Sequence, residues 1–138
     1  MATISKETLI NSSADDAWKV IGDFAAGPSL MAPGYVVDTR VDGDCRIVTF
    51  ADGTVARERF VAVDDEARRI VYTVVGESFH PVHDNASMQI VAEDAHTCRL
   101  IWIHDVLPDD LVLPIETGMT QGLGVIKQTL ESHASSPS

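Results

Sequence analysis

Apolar and polar residues alternate at the start of the chain. Ile4 and the pair Leu9/Ile10 stand among polar neighbours over residues 3–11, which is the period of a strand. The period then lengthens. Ser13 is suited to cap a helix, Asp15 and Asp16 to occupy its positive end, and Trp18, Val20 and Ile21 to form its apolar face. Gly22 and the run Ala25-Ala26-Gly27-Pro28 stop that helix early, and a further helical turn is expected over 29–32 before Pro33-Gly34. From Tyr35 the period returns to two, predicting strands at 35–41, 45–51, 54–63, 69–76, 85–93 and 97–106. Most of their connections are short enough to force antiparallel neighbours, with Asp52-Gly53 the best-marked hairpin turn. After Pro108, Ile115, Met119, Leu123, Ile126 and Leu130 form one helical stripe.

This order predicts an α+β fold. A seven-stranded antiparallel sheet curves around a long C-terminal helix, with two short helices after the first strand. Two short helices cannot cover the apolar face of such a sheet, so the terminal helix must cross its concave side. Gly118, Gly122 and Gly124 interrupt the stripe, each costing up to about 1 kcal/mol of helix propensity. Their retention points to close approach or unfilled volume, with Met119 and Gly122 facing it. Residues 1–134 read as a single ligand-binding domain, without repeat or linker, and 135–138 as a flexible tail.

Composition narrows the function. The 138 residues carry 10 basic and 21 acidic side chains, a formal net charge of −11. Such a surface repels nucleic acid and anionic lipid. No apolar run approaches the roughly 18 residues of a membrane span, and the polar start does not resemble a signal peptide, so a cytoplasmic location is expected. Cys45 and Cys98 fall within strands and read as buried free thiols. The partner expected is a small molecule, the oligomeric state monomer or homodimer.

Strand alternation selects the inward polar groups. Between 54 and 63, Ala56, Glu58, Phe60 and Ala62 share one face; Arg57 and Arg59, costly to bury, share the other, so Glu58 is expected inside. Ala86, Met88 and Ile90 form the apolar set of the sixth strand and carry Asp84 inward at its start. Tyr72 and Val74, and Tyr35 and Val37, are the expected inward pairs of their strands. A buried carboxyl is a candidate general acid or base, and Glu58 and Asp84 are the catalytic candidates; the alternative is a structural carboxylate bonded to Tyr72 or to a basic partner at the rim. His80 and His83 are expected at the pocket mouth. The last strand has two possible phases: one turns Ile101, Ile103 and Asp105 inward, the other Trp102 and His104. Three histidines with Asp84 lack the i,i+4 spacing or cysteine partners of a zinc site, so neither metal nor cofactor is expected.

The segment DGTVARERFVAVDDEARRIVYTVV, followed by GESFHPVHDNASMQIV and later CRLIWIHDVLPDD, resembles the START-like, helix-grip superfamily. That group includes birch-pollen-allergen-like proteins, bacterial polyketide cyclase/dehydrase-like proteins and plant abscisic acid receptors. The order of elements extends the resemblance over the whole chain, with the bacterial cyclase/dehydrase-like branch the nearest in character. It implies a cavity between sheet and long helix for polyketide-, lipid- or steroid-like molecules. Some members only bind; others catalyse cyclisation, dehydration or condensation there. The lysine that anchors a ligand carboxylate in the hormone receptors would fall near Pro33, which disfavours an acidic ligand, and their gate loop corresponds to the tight turn at 51–54.

Overall fold

The structure, a computed structural model, describes residues 2–135. Seven strands, β1 (Ala2–Ile10), β2 (Val36–Asp42), β3 (Cys45–Phe50), β4 (Val55–Asp64), β5 (Arg69–Glu77), β6 (His83–Ala92) and β7 (Cys98–Leu107), form one antiparallel sheet. Its order is β1-β7-β6-β5-β4-β3-β2. The last six strands are therefore a meander, and β1 closes it by pairing with β7, Ile4 opposite His104 and Ile10 opposite Cys98. Helices α1 (Ala14–Ile21) and α2 (Gly27–Met31) follow β1, and α3 (Val112–Ser135) crosses the concave face. This is the helix-grip arrangement.

Local chemistry explains the boundaries. Ser13 accepts a hydrogen bond from the Asp16 N–H at 3.2 Å, capping α1. In the β3–β4 turn Asp52 accepts from the Thr54 N–H at 2.9 Å, and Gly53 sits at φ +91°, where a side chain would be strained. Pro114 lies in the first turn of α3, where its missing N–H has no intrahelical partner to lose. The second helical turn begins at Gly27 rather than Ser29, because Pro28 suits a helix start. Helix α3 runs through Ser135, and residues 136–138 of the expected tail lie outside the described residues.

The core fills one end of the grip. Ile10, Ile21, Val48, Ile70, Ile90 and Leu100 of the sheet and α1 pack with Leu123, Ile126 and Leu130 from the C-terminal half of α3. That half is also tied to the end of β1, where Glu131 accepts from the Asn11 N–H and from Lys127, both at 2.9 Å. The N-terminal half of α3 lies over the other end. Cys45 and Cys98 are buried and unbridged. Among the described residues, no helix is long and apolar enough to cross a membrane.

Candidate functional site

Beneath the N-terminal half of α3 the inner face of the sheet is not filled. A cavity of about 640 Å³ lies there, with Tyr35, Phe50, Ala56, Tyr72, Val74 and Trp102 on the sheet side. Leu111, Pro114, Ile115, Gly118 and Met119 bound it from the helix side. A smaller recess of about 50 Å³ continues inward between Met31, Val48, Met88, Gly122 and Ile126. A helix glycine sets the close approach at the inner end of this space. A Cβ on Gly122 would stand 3.4 Å from the Trp102 ring and 3.7 Å from that of Tyr35, so the two aromatics close on the helix backbone directly.

Four polar side chains are held within these apolar walls as two pairs. β3 and β4 bring Arg46 opposite Glu58, and the Arg46 Nε–H donates to Glu58 Oε1 at 2.8 Å. A second Arg46 donor reaches the Phe24 carbonyl at 3.1 Å, and the guanidinium lies between the Phe24 and Tyr72 rings, 4.7 and 4.9 Å from their centroids. The charge is thus neutralised by a carboxylate and its remaining faces by π-systems. β6 and β7 bring Asp84 beside His104, Nδ1 to Oδ1 at 2.6 Å. Both are buried.

Tyr72 joins the two pairs. Its ring packs edge-on to His104 at 6.2 Å, and its oxygen accepts from Trp102 Nε1–H at 3.2 Å. Burial, reinforced by the Glu58 carboxylate, pushes its phenol well above the ordinary tyrosine range, so it stays a neutral hydroxyl. Tyr35 donates to the Gly118 carbonyl at 3.4 Å, and burial raises its phenol as well.

The phase of the last strand is settled by register. Met88 lies opposite Trp102, which turns Trp102 and His104 inward. Asp105, a ligand-binding candidate in the other phase, lies on the outer face and accepts from Thr3 Oγ1–H at 2.6 Å. His80 and His83 are both exposed, and Phe79 and Pro81 border the cavity in their place. Val37 is 59% exposed: a register shift between Val36 and Asp38 turns Val36 inward instead. Phe60 stays in register with Glu58 and packs edge-on to Phe24 at 5.3 Å while remaining partly open to solvent; the register shift that follows, between Phe60 and Ala62, ends the inward phase of β4 and leaves Ala62 exposed.

Arg46 is the site residue that the strand pattern did not single out. The signal lay in the loop length: the three-residue loop 51–53 pairs Arg46 with Glu58, whereas a two-residue Asp52-Gly53 turn would set Arg46 opposite Arg59. Each inward carboxylate therefore has its own partner: Arg46 for Glu58, well inside rather than at the rim, and His104 for Asp84. Among the described residues no cluster of three or more His, Cys, Asp or Glu side chains has the arrangement of a metal site.

The family model described as "Polyketide cyclase / dehydrase and lipid transport" matches residues 1–131. The chain belongs to this family. Solved structures carry the same fold. An uncharacterized protein of Bacillus thuringiensis superposes with a TM-score of 0.81 at 19% identity, covering 94% of this chain and 98% of its own. Norcoclaurine synthase of Thalictrum flavum, solved with dopamine and hydroxybenzaldehyde, gives 0.70 at 21% identity, covering 98% and 89%. A START superfamily protein of Mycobacterium smegmatis gives 0.70 at 15% identity, covering 96% of each. No curated protein matches the sequence. Membership of the cyclase/dehydrase family places the chain in the START-like superfamily, and at these identities the structural likenesses speak for the fold alone.

Proposed function

We propose that this chain binds a small, largely apolar organic molecule bearing hydroxyl or cationic groups in the cavity between the sheet and α3. The observation that carries this reading is the 640 Å³ volume itself. It is large enough for a drug-sized ligand and apolar in most of its wall, with few polar groups, the usual composition of a small-molecule site. Tyr35, Tyr72, Met88, Trp102, His104, Met119 and Gly122 are the proposed contacts. The polar groups bias the ligand class. Arg46 already has Glu58 as its counter-ion, and Asp52 at the border is acidic, so no free cation awaits an acidic ligand among the described residues of this wall. The family description and the ligands of norcoclaurine synthase, an amine and an aromatic aldehyde, are in keeping with it.

Native mass spectrometry of freshly purified protein tests the reading. A co-purifying small molecule is expected, lost when Gly118→Leu fills the cavity beside Tyr35. Retention of the same molecule by a folded Gly118→Leu variant would count against the cavity as its site.

A cyclase- or dehydratase-type reaction is the second reading, favoured by the Asp84–His104 pair at the cavity wall. Glu58 or Asp84 would then act as general acid or base on an enolisable substrate without metal or nucleotide cofactor. Full activity in a folded Glu58→Gln variant would remove Glu58 from that role and leave it as the counter-ion of Arg46.

A further inference from the structure

Granted the cavity as the binding site, on which this inference rests, its wall holds a base that is already oriented. Asp84 and His104 are joined at 2.6 Å, a separation that requires one proton between them. With that proton on Nδ1 and the charge on Asp84, the lone pair of the imidazole lies on Nε2. Among the described residues nothing bonds Nε2, yet no buried side-chain nitrogen or oxygen is left without a partner. Nε2 is therefore reached from the cavity that His104 lines. Tyr72 stands beside it with its oxygen already accepting from Trp102, so its own proton is free for an acceptor in the same space.

We propose that His104 is the proton-abstracting base of this cavity, Asp84 its positioning residue and Tyr72 the donor to the oxyanion that forms. The substrate class is an apolar molecule with an acidic C–H next to a carbonyl. Nε2 takes the proton; the C–H electron pair becomes the C=C bond of an enolate as the carbonyl π pair moves to oxygen. The oxyanion accepts from the Tyr72 hydroxyl. Return of the proton to either end of the enolate restores His104. Glu58 has no proton-transfer part in this arrangement, being held by Arg46. The charged and titratable groups around His104 are Asp84 on β6, Tyr72 on β5 and, beyond Tyr72, the Arg46–Glu58 pair. On the β1 side Ile4 is apolar, and Lys6 pairs with Glu116 of α3 at 3.8 Å.

The test needs no natural substrate. 5-Nitrobenzisoxazole is an apolar carbon acid: loss of its C3 proton to a base breaks the N–O bond and releases a coloured cyanonitrophenolate. The whole protein is expected to catalyse this saturably, with a rate that rises with pH as one proton is lost and then levels. His104→Gln is expected to lower kcat/KM about 100-fold, and Asp84→Asn to lower kcat about tenfold with little change in KM. The exposed His96→Gln is the control expected to leave the rate unchanged. Nitrogen-15 NMR of the unsubstituted protein should find His104 protonated on Nδ1 and bare on Nε2. The opposite tautomer overturns the proposal even if neither variant folds. Saturable quenching of tryptophan fluorescence by the probe without elimination, or an unchanged rate in His104→Gln, overturns it while leaving the cavity reading intact. If the probe does not bind saturably at all, the cavity reading falls with it.

Discussion

Arg46 shows at the scale of one residue how the interior is constrained. It is only 3% exposed, so its charge has to be answered inside the protein, and Glu58, the Phe24 carbonyl and two aromatic rings do so. Removing one partner of such a pair leaves the other buried and uncompensated. Arg46→Met is therefore expected to destabilise the protein by about 3–5 kcal/mol, whereas adding Glu58→Leu recovers much of that loss. Urea unfolding of the single and double variants checks this; a double variant no better than the single would mean that Glu58 has another partner once Arg46 is gone. The inward direction of Glu58 was legible in the sequence, because its neighbours Arg57 and Arg59 are better placed outside. Its partner was less so, since a lone arginine within an apolar strand reads as exposed until cross-strand register is considered.

At the scale of an element, α3 has two different halves. Leu123, Ile126 and Leu130 close the core, while the N-terminal half bridges open volume. Its glycines are correspondingly unequal. Gly124 is exposed, and a Cβ there would meet nothing within 4 Å, so Gly124→Ala is expected to stabilise by about 0.5–1 kcal/mol through helix propensity alone. A rise in the thermal midpoint checks it; no rise would mean that the helix backbone at Gly124 is not free to accept alanine. The far end of α3 is fastened by Glu131, whose carboxyl is held below its usual range by the Asn11 N–H and by Lys127. A carboxyl lowered by folding contributes stability above its unfolded pKa, and that contribution disappears as pH falls through the folded value. Glu131→Gln should therefore lower the melting temperature at pH 7, and by much less at pH 3. The apolar stripe of α3 predicted the helix and its buried face well. It did not reveal where the stripe stops meeting partners, because periodicity records which side is apolar and not how far away the sheet lies.

At the scale of the whole molecule, a net charge of −11 on 138 residues opposes compaction. Screening should relieve that repulsion, so raising sodium chloride from about 10 to 200 mM is expected to raise the melting temperature by a few degrees. An unchanged or lower midpoint would mean that local ion pairs such as Arg57 with Asp42 and Glu77, and Arg99 with Glu7 and Glu93, outweigh the net repulsion.

The order of the elements, the antiparallel meander and the long terminal helix are properties the sequence determines by itself. They follow from local period, turn residues and connection length, all of which act between neighbours in the chain. The inward placement of Tyr72, Met88 and Asp84 follows from the same alternation. Tertiary structure alone decided what one residue of slip would reverse. Register between β6 and β7 turned His104 inward and Asp105 outward, and the shifts in β2 and β4 exposed Val37 and Ala62. Alternation defines two faces of a strand but not which of them meets the core when both are apolar. That choice depends on pairing with residues distant in sequence, and it is this pairing that sets His104 against Asp84 at the cavity wall.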